Sequence, residues 1–375
     1  MGFDLYNYKI YRYPKKLLNA LSFMVKQKYF SKPVKLSEKD KIIYVVPGCF
    51  ITGGVLSILN MFHIAKKLFP DKEIFISVLT KFQKADKFRE VNFEGRVINL
   101  KYFLPDWLNR KNNILFHVYE DGLVGFLQSI EQLGLLDKLR NSSLNILNQN
   151  NDLMPAREQI ENYLPYFKRV TMTLAYKENE KISFPYLDMP AMHVGAFFDG
   201  ASPEVIPYEK KKNLCVLSDD DNPVKPIIKD KLIKKGIEVY DSYPIPYGEF
   251  VELQKKAKWT ISFGEGWDGY TMGQFENGGI GFGVYQENFQ QPYFDKNNLP
   301  QFLFTSFEEM NEEILDRILS FDEKERFEEV NKKWRDVLAN AENINSCQKV
   351  KERWINYYKK NGFLDTEDTK QPSGT

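Results

Sequence analysis

Apolar residues follow two different spacings in the first half of the chain. A continuous apolar run at 42–46 is typical of a strand buried in a parallel sheet, and the apolar residues of 55–69 recur at helical spacing. The same pattern repeats further along and predicts strands at 73–79, 96–100, 114–119, 143–147 and 170–174. Strands that alternate with helices indicate a parallel α/β sheet.

This alternation stops over residues 184–207, which contain several prolines and glycines, and it resumes after a basic run at 210–212. The second alternation predicts strands at 213–217, 237–240, 259–263 and 283–285, and helices at 224–235 and 247–256. Residues 306–361 are charged, have helical spacing and end in an aromatic cluster. The second half therefore predicts another α/β domain, and the interruption marks the boundary.

Composition narrows the class of protein. The 375 residues are enough for two domains of ordinary size, and 43% of them are hydrophobic. Because 52 Lys and Arg residues balance 51 Asp and Glu residues, a general nucleic-acid-binding protein is not expected. The three cysteines form no CxxC pair, and no apolar run of membrane-spanning length or signal-peptide pattern is present. We therefore expect a cytoplasmic protein.

The N-terminal segment, residues 1–35, interleaves Lys and Arg with aromatic residues and leucines, and Asp4 is its single acidic residue. Two interpretations stay open. The segment could contact an anionic membrane at the inner face as a peripheral anchor, or it could form a helix that docks on its own domain.

The residues of most chemical interest lie at 262–285, which begins at the end of a predicted strand and runs through a helix to a glycine turn. Two acids, Asp268 and Glu276, stand eight positions apart, and Gly281 precedes a short strand. Glu265 offers a second register for the first acid. This spacing resembles that of retaining GT-B glycosyltransferases of the broad group-four type.

The resemblance implies roles for these acids. A carboxylate is a good bidentate acceptor for vicinal hydroxyls. Glu276 would hold the ribose of a nucleotide-sugar donor, and Asp268, which is followed by Gly269, or Glu265 would hold the hydroxyls of the donor sugar. The transfer would need no metal or other cofactor.

The diphosphate of the donor would bind at the N-terminus of the helix that carries Glu276, near Thr271 and Met272, where N–H groups and the helix dipole favour anions. The family also places a basic pair on the diphosphate. This chain lacks the arginine, and Lys225 is the best candidate for the lysine. A glycine loop with Gly53 and Gly54 resembles the loop that faces the cleft in these enzymes.

Two further groups of residues are candidates for a catalytic or metal-binding role. His117 lies in a predicted strand that ends with Glu120 and Asp121, where it could serve as a catalytic base or simply pack in the sheet. Asp219 and Asp221 follow another strand as an Asp-X-Asp pattern, which in GT-A glycosyltransferases holds a divalent metal; near a helix start they could equally be structural.

The resemblance implies a GT-B fold, with two Rossmann-like domains, a cleft between them and a C-terminal helix that crosses back to the first domain. The predicted divisions are a basic segment, an acceptor domain, a donor domain, the returning helix and a disordered tail, at 1–40, 41–200, 201–340, 341–364 and 365–375.

The expected function is the transfer of a sugar, with retention of configuration, from a nucleotide-sugar donor to a saccharide or lipid-linked acceptor in bacterial surface polysaccharide synthesis, such as lipopolysaccharide or capsule. Three alternatives remain: a metal-dependent GT-A transferase, a non-catalytic protein of GT-B type that binds sugar nucleotide or polysaccharide, and a nucleotide-sugar epimerase of the same fold.

Overall fold

The computed structural model describes residues 38–48, 52–78, 93, 95, 97–110, 112–175, 191–196, 204–242, 245–264, 268–290, 294–340 and 347–363. The N-terminal segment 1–35, Glu265, the tail 365–375 and the predicted boundary at 200/201 lie outside these ranges. Within the described part, no helix combines the length and apolar character needed to cross a bilayer.

Seven parallel strands form the first sheet, in the order β3-β2-β1-β4-β5-β6-β7. The chain starts in the middle of the sheet and reverses direction between β1 and β4, as in a doubly wound Rossmann sheet. The strands are β1 (Lys41–Val46), β2 (Glu73–Val78), β3 (Val97–Asn99), β4 (Ile114–Tyr119), β5 (Ser142–Asn148), β6 (Arg169–Leu174) and β7 (Ala191–His193).

Helices cover both faces of this sheet. They include α1 (Gly53–Leu68), α2 (Leu100–Leu108) and α3 (Leu123–Gln132). Successive residues of β1 point to opposite faces, so Ile43 joins one apolar cluster with Trp107, whereas Tyr44 joins the other with Phe62. Burial on both faces explains why β1 is a continuous apolar run rather than an alternating one.

Five parallel strands form the second sheet, in the order β12-β11-β10-β8-β9. This is the other common doubly wound order, and its direction reverses between β8 and β10. The strands are β8 (Lys212–Leu217), β9 (Glu238–Asp241), β10 (Ala257–Ile261), β11 (Ile280–Val284) and β12 (Leu303–Phe304).

The helices around the second sheet bury an aromatic core that includes Trp259, Phe282 and Phe327. The described helices here are α4 (Lys225–Lys234), α5 (Tyr247–Lys256), α6 (Thr271–Glu276), α7 (Glu287–Gln290), α8 (Phe307–Phe321) and α9 (Lys324–Asn340). The predicted pair of Rossmann-like domains is confirmed.

The last described helix, α10 (Cys347–Lys360), returns to the first sheet as predicted. Its Trp354 is fully buried in the cluster that contains α1. The hydroxyl of Tyr358 lies 2.7 Å from that of Tyr44, and the hydroxyl of Tyr357 lies 2.8 Å from Oγ1 of Thr171. These buried hydrogen bonds fix the helix on the first domain.

Three strands differ from the sequence prediction. β7 lies in the stretch that the sequence assigned to the interdomain break, and the two-residue β12 has no sequence signal. β11 starts at Ile280, inside the expected glycine turn. Gly281 is needed there because a Cβ would lie 2.5 Å from the backbone of Thr271, so α6 packs directly on the strand.

In each sheet the strand order reverses once, and ligands of doubly wound proteins bind at the carboxyl ends of the strands beside such a reversal. We call the described residues of 47–54, 119–121 and 148–151 the first carboxyl edge. The described residues of 218–225, 241–242 and 262–271 are the second carboxyl edge.

Candidate functional site

The second carboxyl edge contains Lys225, the first residue of α4, and Asp241, the acid that ends β9, which Lys229 of the same helix also reaches. Nζ of Lys225 donates to the carbonyl of Ser218, 2.5 Å away, and lies 3.6 Å from Oδ1 of Asp241. Lys229 pairs with the other oxygen of Asp241. Burial acts to raise the pKa of Asp241, but the two ammonium groups lower it overall. Lys225 therefore lies at the second carboxyl edge, and its charge is balanced by the carboxylate of Asp241.

Asp268 holds the loop between β10 and α6 in place. Its Oδ2 accepts a hydrogen bond from the hydroxyl of Ser262 at 2.5 Å, and its Oδ1 accepts from the backbone N–H groups of Tyr270 at 2.9 Å and Thr271 at 3.2 Å. Burial raises the pKa of Asp268, while these three donors act against the rise. Oδ1 thus caps the start of the short helix, and Oδ2 ties the loop to the end of β10.

This cap changes the predicted diphosphate site. The N–H of Thr271 bonds the side chain of Asp268, and the N–H of Met272 bonds its backbone carbonyl at 2.9 Å. Gly269 is exposed, and its carbonyl accepts from Nε2 of Gln254 at 2.8 Å. The N–H groups of Thr271 and Met272 are therefore already engaged within the protein, so the geometry gives no support to the expected anion site at this helix terminus.

The structure does not bring Glu276 together with Asp268. Glu276 is the last residue of α6, a helix about 9 Å long. Gln274, two residues earlier, donates to the carbonyl of Ala257, which is the first residue of β10. Glu276 consequently lies towards the amino edge of the sheet, away from the edge where ligands bind, so the geometry does not support its assignment to the ribose of a donor whose sugar hydroxyls lie at Asp268.

The acids after β8 are used mostly for local structure. Asp220 accepts from the hydroxyl of Ser218 at 2.6 Å, and Asp219 lies 3.5 Å from the hydroxyl of Tyr270. Across the residues that the structure describes, no group of three or more His, Cys, Asp or Glu residues is arranged to hold a metal ion. The alternative that rests on Asp219 and Asp221 thus gains no support from the geometry.

At the first carboxyl edge, Gly54 allows close packing. Nε2 of Gln149 donates to its carbonyl at 3.3 Å, and a Cβ on Gly54 would lie 2.5 Å from Oε1 of the same glutamine. A Cβ on Gly53 would meet nothing within 4 Å. Thr52 caps α1 by accepting from the N–H of Val55 at 3.3 Å. The two glycines therefore differ: Gly54 is required by packing, and Gly53 borders open space.

Glu120 follows β4 at the point where the strand order of the first sheet reverses, and it is only 4% exposed. Its Oε1 accepts from the N–H of Asn150 at 2.9 Å, but Oε2 is buried without a hydrogen-bond partner. Burial raises the pKa of Glu120 to about 7, against the hydrogen bonds from the backbone, and the charge of Asp121 adds to the rise.

His117 is embedded in the sheet and does not face either edge. It is fully buried and stacked on Tyr44 at 4.5 Å, with Nδ1 2.9 Å from Nδ2 of Asn145 and Nε2 3.2 Å from the hydroxyl of Tyr358. Burial lowers its pKa to about 3, so the ring is neutral. With both nitrogens engaged, His117 anchors α10, and the catalytic role predicted for it is not supported.

Sequence reasoning located Glu120 at the end of a strand but assigned it no chemistry. The strand pattern at 114–119 and the acid directly after it were visible signals. The burial of its carboxylate was not visible, because the turn at 149–150 that covers it comes from the next strand.

A scan against protein-family models finds no match to this chain, and a search of curated proteins finds none either.

Solved structures share its fold at very low sequence identity. The pneumococcal O-GlcNAc transferase GtfA, in complex with UDP and GlcNAc, matches with a TM-score of 0.55 at 7% identity, over 86% of this chain and 99% of that one. HepE from Anabaena, in complex with UDP, matches with a TM-score of 0.54 at 8% identity, over 85% and 100%. A glycosyltransferase from Rickettsia africae matches with a TM-score of 0.51 at 10% identity, over 86% and 99%.

These matches cover nearly the whole length of each solved chain, so they concern the complete two-domain arrangement rather than one domain. Identities of 10% or less establish the fold and not the chemistry. The chain thus has the GT-B fold: two Rossmann-like domains with a C-terminal helix that returns to the first.

Proposed function

We propose that this protein is a glycosyltransferase that moves a sugar from a nucleoside-diphosphate donor to a saccharide or lipid-linked acceptor. The observation that carries the proposal is the pair of doubly wound sheets, each with one reversal point, in a fold that includes UDP-bound transferases. Two reversal points suit a reaction with two substrates, because each domain can bind one of them.

The donor is expected at the second carboxyl edge. Lys225 and Lys229 supply positive charge there, and the hydroxyls of Ser242 and Tyr270, which hydrogen-bond each other at 2.8 Å, supply polar partners. A diphosphate would compete with Asp241 for the two lysines. The lysines would then stabilise the charge that develops on the leaving nucleotide, and the scheme needs no metal or other cofactor.

Retention of configuration remains a prediction from the family resemblance alone. The resemblance assigned the hydroxyls of the donor sugar to Asp268 and the ribose to Glu276, and these acids lie at opposite ends of α6. Glu265 keeps its assignment to the donor sugar as a prediction.

A setting in bacterial surface polysaccharide synthesis, on lipopolysaccharide or capsule, is the biological part of the proposal. The basic and aromatic segment 1–35 supports it, because such a segment would hold a cytoplasmic enzyme near lipid-linked acceptors at the inner face of the membrane. Vesicle sedimentation of the full chain, with and without anionic lipid, tests this part separately.

Nucleotide binding is the first test. In a thermal-shift screen of UDP, GDP, dTDP and CMP, with and without Mg²⁺, we expect one nucleoside diphosphate to stabilise the protein by about 2.7 kcal/mol at a hundred times its dissociation constant. Lys225→Met should reduce this stabilisation. Lys234→Met, on an exposed position of the same helix, is the matched control and should not.

Each rival has its own outcome in these assays. A shift that requires Mg²⁺ and ignores Lys225 favours the metal-dependent transferase. Binding without turnover of any nucleotide sugar favours the non-catalytic protein, and conversion of the donor without an acceptor into an epimer favours the epimerase. No stabilisation by any nucleotide contradicts the proposal.

A further inference from the structure

A cavity opens where β5 and β6 begin, at the opposite end of the first sheet from its carboxyl edge. Its volume is about 280 Å³. The residues that line it are Arg140, Pro165, Tyr166, Phe167 and Lys168. Because β5 has seven residues, about 20 Å separate this cavity from the first carboxyl edge. The cavity is therefore distinct from the edge at which the first domain would bind its substrate.

The pairing of β5 with β6 brings the two cations of the cavity together. The N–H of Lys168 donates to the carbonyl of Ser142 at 2.9 Å, and Arg140 comes two residues before that serine. Adjacent strands lie about 4.8 Å apart, so the two cations extend from neighbouring strand ends. Phe167 and Leu139 are buried in the apolar cluster that contains Trp107. The core thus holds the backbone of the cavity in place, while the side chains of Arg140 and Lys168 remain exposed.

This part of the sheet has an excess of positive charge. We call residues 136–142 and 164–169 the basic amino edge. Its cations are Lys138, Arg140, Lys168 and Arg169, and its single acid is Asp137. Within the described part of the chain, neither Arg140 nor Lys168 has an ion pair or a side-chain hydrogen bond, and Asp137 has no ion pair. The described residues therefore do not neutralise the two cations of the cavity.

The other half of the same edge is neutralised, which shows that the fold can supply counter-charges there. Nζ of Lys41, at the start of β1, lies 3.1 Å from Oε2 of Glu73, at the start of β2. Nζ of Lys72 lies 3.8 Å from Oδ2 of Asp40. Like charges on neighbouring strands destabilise a sheet. The uncompensated pair at β5 and β6 is therefore suited to an anion that comes from outside the described fold.

The lining of the cavity indicates the chemical class of that anion. A guanidinium group donates two parallel hydrogen bonds to a carboxylate or a phosphate, and an ammonium group adds a point charge. The half-buried Tyr166 and the exposed Pro165 add apolar ring surface beside these charges. We infer that the cavity binds a saccharide that carries carboxylate or phosphate groups, with the oxyanion between Arg140 and Lys168 and the sugar ring against Tyr166.

The saccharide part of this inference rests on the proposed glycosyl transfer, whereas the oxyanion part rests on the cavity. A site so far from the first carboxyl edge would hold a distant part of an acceptor chain, and the end that reacts would lie at that edge. The inference therefore narrows the acceptor to an anionic saccharide.

Binding of small charged saccharides to the full chain tests the inference. Calorimetric titration at low salt should show binding of trigalacturonate and of glucose 6-phosphate, and no binding of the uncharged galactotriose. The double variant Arg140→Gln/Lys168→Gln should weaken binding by about 10-fold or more, because both charge-assisted contacts are lost. Since both positions are exposed, the variant should keep the stability of the wild type.

A matched control removes two charges from another exposed place. Lys234→Gln/Lys235→Gln, at the end of α4 in the second domain, should leave the binding of trigalacturonate unchanged. Arg140→Lys alone keeps the charge but loses the planar fork, so it should weaken binding less than Arg140→Gln does.

Several results would overturn the inference. Absence of binding by both charged saccharides does so, as does equal weakening in the two double variants, which would indicate a general effect of charge. Inorganic phosphate or phosphatidylglycerol vesicles that bind where trigalacturonate does not would assign the basic amino edge to free phosphate or to lipid. Binding that appears only after the acids of 365–368 are replaced would mean that the tail of the chain itself fills the cavity.

Failure of this inference is distinct from failure of the proposed function. The Arg140→Gln/Lys168→Gln variant should keep the thermal shift that a nucleoside diphosphate produces, because the donor is expected in the second domain. If a nucleotide binds and no charged saccharide does, the inference falls and the proposed transfer stands. If trigalacturonate binds at this cavity and no nucleotide stabilises the protein, the proposed transfer falls and the saccharide site stands.

Discussion

The two carboxyl edges have the same position in their sheets but opposite states of hydrogen bonding. At the second edge, Asp268 accepts three hydrogen bonds and Asp241 is paired with two lysines. At the first edge, Glu120 accepts from the N–H of Asn150, and its Oε2 is buried. Topology alone therefore does not determine what an edge can do, because the same reversal point can carry satisfied or unsatisfied acids.

The difference separates structural acids from reactive ones. A carboxylate whose lone pairs are all used stabilises the fold and resists a new partner. A desolvated carboxylate with an unused oxygen destabilises its charged form and gains free energy when a ligand supplies a donor. Four predictions test this contrast, from the largest expected effect to the smallest.

The largest effect concerns the pH dependence of stability. The pKa of Glu120 is about 7 in the fold against 4.5 for a free glutamate. The contribution of this group to the free energy of unfolding is therefore fully present below about pH 4.5 and is lost as the pH rises through 7. The loss is about 3 kcal/mol by pH 8. Urea unfolding at pH 5 and pH 8 should show most of this loss in the wild type and none of it in Glu120→Gln.

Comparison with the variant removes other titrations from that measurement. Burial lowers the pKa of Lys211 to about 7, and this group contributes equally to both proteins. An equal pH dependence in the two proteins would mean that Glu120 is not desolvated.

Gly281→Ala should be the next largest change. The new Cβ would lie 2.5 Å from the backbone of Thr271, which cannot move without shifting α6 and the Asp268 cap with it. We expect a loss of about 2 to 3 kcal/mol in the free energy of unfolding, measured in urea. Gly248→Ala, a helical glycine with open space around it, is the control and should be neutral or slightly stabilising.

Asp268→Ala tests the satisfied acid directly. It removes the cap of α6 and leaves the hydroxyl of Ser262 without its acceptor, so we expect a loss of about 2 kcal/mol. Asp221→Ala, at an exposed position of the same edge, should change the free energy of unfolding by less than about 0.5 kcal/mol. Equal effects of the two substitutions would contradict the capping role.

The smallest effect is expected for Gly54→Ala at the first edge. Its new Cβ would meet the end of the Gln149 side chain rather than backbone, and that side chain can rotate away. We expect a cost below about 1 kcal/mol, against a gain for Gly53→Ala of similar size because that position is open. Thermal unfolding of the two single variants measures this difference. The double variant Gly54→Ala/Gln149→Ala should recover the stability that Gly54→Ala loses.

Much of the fold was predictable because its signal is local. The runs at 42–46 and 114–119 predicted β1 and β4 well, since strands buried on both faces are apolar at nearly every position. The start of β11 was not predictable. Glycines at 278–281 look like a turn, whereas Gly281 lies within a strand because α6 packs against it.

The candidate site was much less predictable. Spacing in the sequence suggested that Asp268 and Glu276 act together, but a helix between them sends the second acid to the other end of the sheet. His117 was singled out by its residue type and proved to be enclosed by Tyr44, Asn145 and Tyr358, the last of them 241 residues away.

The sequence by itself determined the number and kind of domains, because hydrophobic spacing reports on burial along a single segment. It also determined which loops follow strands, and hence that Glu120 comes directly after one strand and Lys225 in the helix that follows another. Only the tertiary structure decided which of these side chains are satisfied. Hydrogen bonding and desolvation depend on residues brought from elsewhere in the chain, such as Asn150 beside Glu120 and Asp241 beside Lys225, and no local pattern records those encounters.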